Sequence, residues 1–241
     1  MILNIFAIVI LAALGFMFLE RYFPRQSFSE VKGWWPRAIL ISSMQIVLSY
    51  TTGKLIDPIN HKYSIFHIEC PSYLKIIIGY FIISFVFYWW HRLRHARYFW
   101  EIFHQLHHSP SRLEILTTFY KHPIEIFVDN ILSSIILYLL LGLSPILGAT
   151  VVCITGLAEL FYHSNIRTPY WLGFIFQRPE SHCVHHKKGV HHYNYSDLPI
   201  WDMLFGTFLN PKESEFTCGF SGEKELQLKE MFTFKNVNNR Y

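Results

Sequence analysis

Residues 74–95 read LKIIIGYFIISFVFYWWHRLRH, an apolar and aromatic run that ends without a break on two histidines four residues apart. The stretch from Leu74 to Trp90 carries one charge, Lys75, at its outer edge. At about 1.5 Å of rise per residue, such a run approaches the thickness of a bilayer's hydrocarbon core. His91-Arg-Leu-Arg-His95 then forms an H-x-x-x-H pair, and residues at i and i+4 share one helix face. The pattern predicts a membrane helix with two metal-type ligands at its end.

Outward from that stretch the same arrangement recurs. Ile2–Leu19 is apolar except for Asn4 and has neither a positive leader nor a small-residue cleavage site, so it reads as an anchor. Arg21, Arg25, Lys32 and Arg37 follow, with Trp34 and Trp35 placed like interfacial aromatics. A less pure apolar stretch covers Ala38–Ile56, and a polar loop is predicted from Asp57 to Ser72, holding His61 and His67. Ile124–Leu141 and Ile146–Tyr162 are two more runs joined by Gly142-Leu143-Ser144-Pro145, a turn signal that predicts a helical hairpin. Glu125 and Asp129 near the start of its first arm predict a polar interior at that end.

Composition agrees. The chain of 241 residues is 51% hydrophobic and only 16% charged, against about 25% in soluble domains. Its mean hydropathy is +0.23. The net charge of +4 is mild and its basic residues flank apolar runs, which excludes nucleic acid and fits a membrane edge. Four scattered cysteines form no CxxC pair and read as unpaired thiols. The fold class predicted is all-α, with four to five transmembrane helices in a single domain over 1–241. Counting Lys and Arg in alternate loops places the N-terminus outside and a histidine-rich helical cap in the cytosol, with every histidine cluster on one side.

The chain holds 14 histidines, and they are not scattered. His104-Gln-Leu-His107-His108 and His182-Cys-Val-His185-His186 are two H-x-x-H-H triplets, and Glu159-Leu-Phe-Tyr-His163 is an E-x-x-x-H pair. On helices these spacings aim two or three ligands at one point. Imidazole suits iron, zinc, copper and nickel. Nine histidines with one carboxylate exceed the needs of one ion and fit two. The bland alternative is a polar helix face that happens to be rich in histidine. Four helix-spaced groups beside apolar runs argue against it, because burying so many imidazoles unpartnered is costly. Glu159 in the last turn of an apolar run reads as a metal ligand, or else as an acceptor for a ligand histidine's second N–H.

The order of these motifs resembles the fatty acid hydroxylase/sterol desaturase superfamily over residues 75–210. His122-Pro-Ile-Glu125, His163-Ser-Asn165, Asn194-Tyr195 and Trp201-Asp-Met-Leu-Phe-Gly-Thr207 support it. The likeness is to its bacterial sterol-desaturase-like branch, with some similarity to alkylglycerol monooxygenases through Glu159 and the WDxLFGT segment. The resemblance implies a non-haem di-iron centre, O2 as co-substrate and two electrons per turnover. Its apolar substrate would be a sterol, fatty acyl or ether lipid, hydroxylated or desaturated. Carried over, the iron ligands and catalytic residues are His91, His95, His104, His107, His108, His163, His182, His185 and His186, with zinc as a substitute ion on expression. Acyl-chain hydroxylases tend to carry a histidine where Glu159 stands. An external donor (a ferredoxin, cytochrome or other reductase) is implied, as is a multi-pass place in a bacterial inner membrane or endoplasmic reticulum.

Other residues are read from position. His122 is expected beside the ligands, His191 and His192 on a polar surface loop, and His61 and His67 on the far side. Asp197 and Asp202 would orient imidazoles or cap helices. Trp89, Trp90, Tyr120, Phe161 and Tyr170–Phe176 are candidates to touch substrate. The stretch after Asn210 reads as a polar tail. Rivals fare worse: a haem b protein would place single histidines at mid-bilayer depth, and a metalloprotease would carry H-E-x-x-H. Histidine-cluster metal transport is the non-enzyme alternative, but it predicts ionisable residues midway along several helices.

Overall fold

A computed structural model describes residues 2–212 and 215–238, with side chains from Ala7 onward. Its elements are helical, and the only β pairing among the described residues is two isolated bridges, Pro24 with Ile166 and Lys187 with Cys218. The long helices are α1 (Ile2–Tyr22), α2 (Trp34–Lys62) and α3 (Ser72–Arg94). Short pieces follow: α4 (Arg97–Phe99), a wide π-type turn (Trp100–His104) and α5 (Gln105–His108). α6 (Pro123–Ser134) runs on through π-type turns at Ile135–Leu140, and α7 (Pro145–His163) returns. The cap closes with α8 (Pro179–His185), α9 (Pro199–Leu204) and α10 (Leu228–Phe232).

Among the described residues four helices are long and apolar enough to cross a membrane: Trp34–Lys62, Ser72–Arg94, Pro123–Leu140 and Pro145–His163. The chain is an all-α, multi-pass membrane protein. α1 packs on α7, where Phe16 meets Phe161 with ring centroids 6.2 Å apart. α2 runs beside α6, and α3 lies against α7. Leu137, Leu143 and Val151 pack around Gly79, where a Cβ would lie a tight 3.2 Å from the Leu143 and Val151 methyls. Pro145 starts α7 at its first turn, where no N–H is lost. Gly142 holds φ +59°, and a Cβ there would strike the Phe66 carbonyl, so the hairpin turn requires glycine.

Two expectations need correction. The segment 57–62 is not loop: α2 runs through Pro58 to Lys62, and Asn60 donates to Ser134 Oγ of α6 at 3.0 Å. Packing against α6 holds a helix that proline alone would end. Nor is the stretch after Asn210 a free tail. Phe220, Met231 and Val237 are buried with Trp34 and Trp100, and Glu225 pairs with Arg37 at 3.2 Å.

The C-terminal ends of α3 and α7 bring their histidines to one end of the bundle. There Gln45 Nε2 of α2 donates to the Lys121 carbonyl at 2.6 Å, and Trp34 Nε1 donates to Glu114. At the opposite end Ile65 N donates to the Leu139 carbonyl, so His61 and His67 lie remote from the cap.

Candidate metal centre

α3 delivers His91 and His95 at its C-terminal end; the π-type turn and α5 deliver His104, His107 and His108. α7 delivers His163 from its last turn, and α8 delivers His182, His185 and His186. These nine side chains converge into two buried groups that could each hold a metal ion. One comprises His91, His95, His104, His108 and His185; the other comprises His107, His163, His182 and His186. Within each group one ring nitrogen per residue lies within 4.8 Å of all the others. The triplets are shared out, because i and i+4 neighbours aim together while the third histidine turns to the other group.

The tautomers follow from the partners. His91 Nδ1 donates to the Tyr195 carbonyl at 2.6 Å, His185 Nδ1 to the Tyr193 carbonyl at 2.8 Å and His163 Nδ1 to the Glu159 carbonyl at 2.8 Å. A carbonyl only accepts, so those Nδ1 atoms carry the proton and their Nε2 lone pairs face inward. Yet Nε2 atoms crowd one another: His91 and His104 at 2.9 Å, His182 and His163 at 3.1 Å, and His163 and His107 at 3.2 Å. Between His91 and His104, whose Nδ1 atoms face the Tyr195 carbonyl and Glu125, two lone pairs point at each other and repel unless a cation sits between them. Metal–nitrogen bonds of about 2.1 Å meeting at a right angle place two nitrogens about 3.0 Å apart. Neither ring nitrogen of buried His108 has a hydrogen-bond partner, a costly state that a metal bond relieves. The residues fit a pair of ions.

Supporting groups hold the ligands. His104 Nδ1 lies 2.9 Å from Glu125 Oε1, and Glu125 pairs with Arg94, which also reaches Asp129 at 3.4 Å. Trp90 Nε1 donates to Asp129 at 2.6 Å. The Gln177 amide lies 3.0 Å from His182 Nδ1. Asp202 accepts from Tyr195 N at 2.8 Å and Ser196 N at 3.0 Å, so it fixes the loop whose carbonyl orients His91. Burial first, and neighbouring imidazoles or Arg94 after it, hold His104, His107, His108, His182 and His186 well below the ordinary histidine range. They are neutral, as ligation requires.

The remaining candidates fall in other places. Glu159 joins neither group: its carboxylate pairs with Lys121 Nζ at 3.1 Å, and its backbone carbonyl, not its side chain, receives the ligand's second N–H. His122 caps α6, accepting from Ile124 N at 3.2 Å, with its ring against Phe232 and Phe234. His191 is buried rather than on a surface loop, with its ring 5.1 Å from that of His108, while His192 is exposed. Asp197 accepts from Ser84 and Leu198 N and meets no ligand imidazole. Tyr120 is core, packed on Trp34; Trp89, Tyr170 and Trp171 are exposed. None of the four cysteines is in a disulfide, and Cys183 and Cys218 face each other with sulfurs 3.1 Å apart.

Sequence reasoning missed Lys121 and Gln177. Lys121 gave a signal, as a lone cation between a histidine cluster and an apolar run. A cavity of about 650 Å³ opens beside His95 and is lined by Arg92, His191, His192, Tyr195 and Asn238 among others.

The profile of the fatty acid hydroxylase family matches residues 76–207, which takes in all nine histidines. The chain belongs to that family, within the fatty acid hydroxylase/sterol desaturase superfamily. It is 35% identical over 164 residues to the ornithine lipid hydroxylase OlsE of Rhizobium tropici, covering 64% of this chain and 48% of that one. It is 27% identical to the sphingolipid C4-hydroxylase sur2 of Schizosaccharomyces pombe, covering 57% and 49%. With the alkylglycerol monooxygenase of Homo sapiens it shares 28% identity, covering 61% and 33%. The chain thus spans about half the length, or less, of these curated relatives. No solved structure matches it significantly.

Proposed function

We propose that this protein is a membrane-bound, non-haem di-iron oxygenase that uses O2 and two electrons to hydroxylate or desaturate a lipid. The observation that carries the reading is the convergence of nine buried histidines into two groups, with ring nitrogens of neighbouring ligands about 3 Å apart. Iron ions held there would supply O2 activation and the oxidising power to break a C–H bond. His91, His95, His104, His108 and His185 would hold one ion, and His107, His163, His182 and His186 the other.

The chain's own residues do the rest. The carbonyls of Tyr193, Tyr195 and Glu159 keep the ligand rings in one tautomer, and Glu125 does so for His104. Trp100, packed at a tilt against His95 and His108, and Tyr162, packed on His163 and His182, shield the ligands from water. The ligands cap the ends of apolar helices, so the substrate class is one that dissolves in the bilayer. The named activities of the relatives, on ornithine lipids, sphingolipids and alkylglycerols, support that class. Electrons would come from an external donor, and the positive-inside pattern supports a centre that faces the cytosol.

The test is metal content per chain in purified protein, followed by turnover of sterols, fatty acyl lipids and ether lipids with O2 and a reductant. Two ions per chain and an oxygenated or desaturated product support the reading. One ion or none in folded protein overturns it and favours histidine-cluster metal transport. Zinc in place of iron supports the site and calls for iron exchange before the turnover test.

A further inference from the structure

Glu159 and Lys121 form an ion pair that the metal centre does not use and that a membrane bundle pays heavily to keep. The Lys121 side chain is only 5% exposed, whereas that of Glu159 is 26% exposed, so one side of the carboxylate stays open. A charge pair at the edge of a hydrocarbon region is retained where function needs it.

Its position is informative. Glu159 lies four residues before His163 on α7, so the two side chains share a face about one helical turn apart. Seven residues before Glu159, on the same face, Val152 is 42% exposed, and Thr155 between them is half-buried. α1 covers a neighbouring face of α7 through Phe16 and Val9. An open stripe therefore runs along α7 from the apolar bundle to a buried ligand of the four-histidine group. The ion pair stands at its last step.

We infer that Lys121 and Glu159 are the recognition site for a neutral polar group of the lipid substrate, a hydroxyl or a secondary amide, lying close to the carbon that is oxidised. This rests on the oxygenase reading. The chemistry selects the group: an ammonium donates, and a carboxylate accepts. Only a group that accepts and donates at once satisfies both without breaking the pair. A free carboxylate is repelled by Glu159 and an amine by Lys121, while a plain hydrocarbon leaves the pair's remaining donor and acceptor capacity unused. A site built on hydrogen-bonding groups disfavours a substrate lacking them, because covering the pair with hydrocarbon removes water from its remaining donor and acceptor positions and puts nothing in its place.

The experiment uses the full chain, iron-loaded and reconstituted, with 1-hexadecanol, N-methylhexadecanamide, hexadecane and hexadecanoate as probes. Wild type is compared with Glu159→Gln, Lys121→Met and the exchanged pair Lys121→Glu with Glu159→Lys, each checked for two metals per chain. Wild type is expected to favour the alcohol or the amide over hexadecane by about tenfold or more in kcat/KM. Glu159→Gln and Lys121→Met should level that preference, chiefly through KM, while the metals stay. The exchanged pair should recover part of it. Equal use of all four probes by wild type, or a preference that survives both single variants, overturns the inference. So does loss of metal in Glu159→Gln, which would make the pair part of the metal site.

If wild type oxidises no probe although its metals are present, the oxygenase reading fails. The binding site is then judged by thermal unfolding in detergent. A stabilisation by 1-hexadecanol but not hexadecane, lost in Glu159→Gln, supports it; no such difference overturns it.

Discussion

The two histidine groups are built from the same triplets yet differ in how they are held. The five-histidine group is braced by polar partners: Tyr195 and Tyr193 carbonyls behind His91 and His185, and Glu125 with Arg94 behind His104. The four-histidine group leans on less. His163 bonds its own helix at Glu159, His182 meets the Gln177 amide, and the His107 Nδ1 atom has no partner. It also has the open stripe of α7 and the Lys121–Glu159 pair beside it. A cavity of about 650 Å³ opens beside His95 of the braced group, while the Lys121–Glu159 pair flanks the other, and on the inference above a lipid would approach along that second side.

The largest break in that comparison should come from His163→Ala. Its Nε2 touches both His182 and His107, so its loss opens the four-histidine group at the centre. Metal should fall from two ions to about one per chain and turnover below detection, read by elemental analysis and product assay. His108→Ala should retain more metal, because four ligands remain in its group. Equal losses in the two variants would erase the distinction between the groups.

Glu125→Gln sharpens the same contrast. Changing a group that orients a ligand commonly costs 10–100-fold in metal affinity. Here the loss should be confined to the five-histidine group, so a metal titration that is uniform in wild type becomes biphasic. A uniform weakening of both sites would contradict the assignment of Glu125 to His104.

Acid should affect both groups. Burial lowers these imidazole pKa values in the folded chain, so the unfolded chain binds more protons. The stability they contribute is complete above the ordinary histidine value of about 6.5 and is lost progressively as pH falls below it. Dialysis at pH 5 should strip metal and lower the unfolding temperature, while pH 8 should preserve both. The reverse order would mean that the histidines are charged in the fold.

The smallest effect is expected from His191→Ala. Its ring stands 5.7 Å from that of His95 and 5.1 Å from that of His108, beside the ligands and outside both groups. Metal content should stay at two per chain. A clear drop would make it a further ligand and enlarge the braced group.

Much of this architecture is legible in the chain. Apolar runs ending on histidine pairs show membrane helices with ligands at their tips, because side-chain period and hydropathy are local properties. The family motifs locate all nine histidines for the same reason: i, i+3 and i+4 spacings carry their geometry with them. Where reading fails, the deciding contact is distant. Pro58 and Asp57 signal the end of α2, yet Asn60 meets Ser134 and the helix goes on. The polar stretch after Asn210 hides Met231, whose burial depends on Trp34 and Trp100 nearly 200 and 130 residues earlier.

By itself, then, the sequence determined an all-α membrane chain, the identity of its nine inward histidines and the single side on which they gather. Tertiary structure alone decided which histidines share a group, since each triplet is divided between two partners contributed by other helices. It also decided the place of Glu159, whose charge is met by Lys121 from a separate segment. A carboxylate one turn from a ligand can bind a metal or a cation. Which one it binds depends on the charge that the fold brings within about 3 Å, and no local pattern records that.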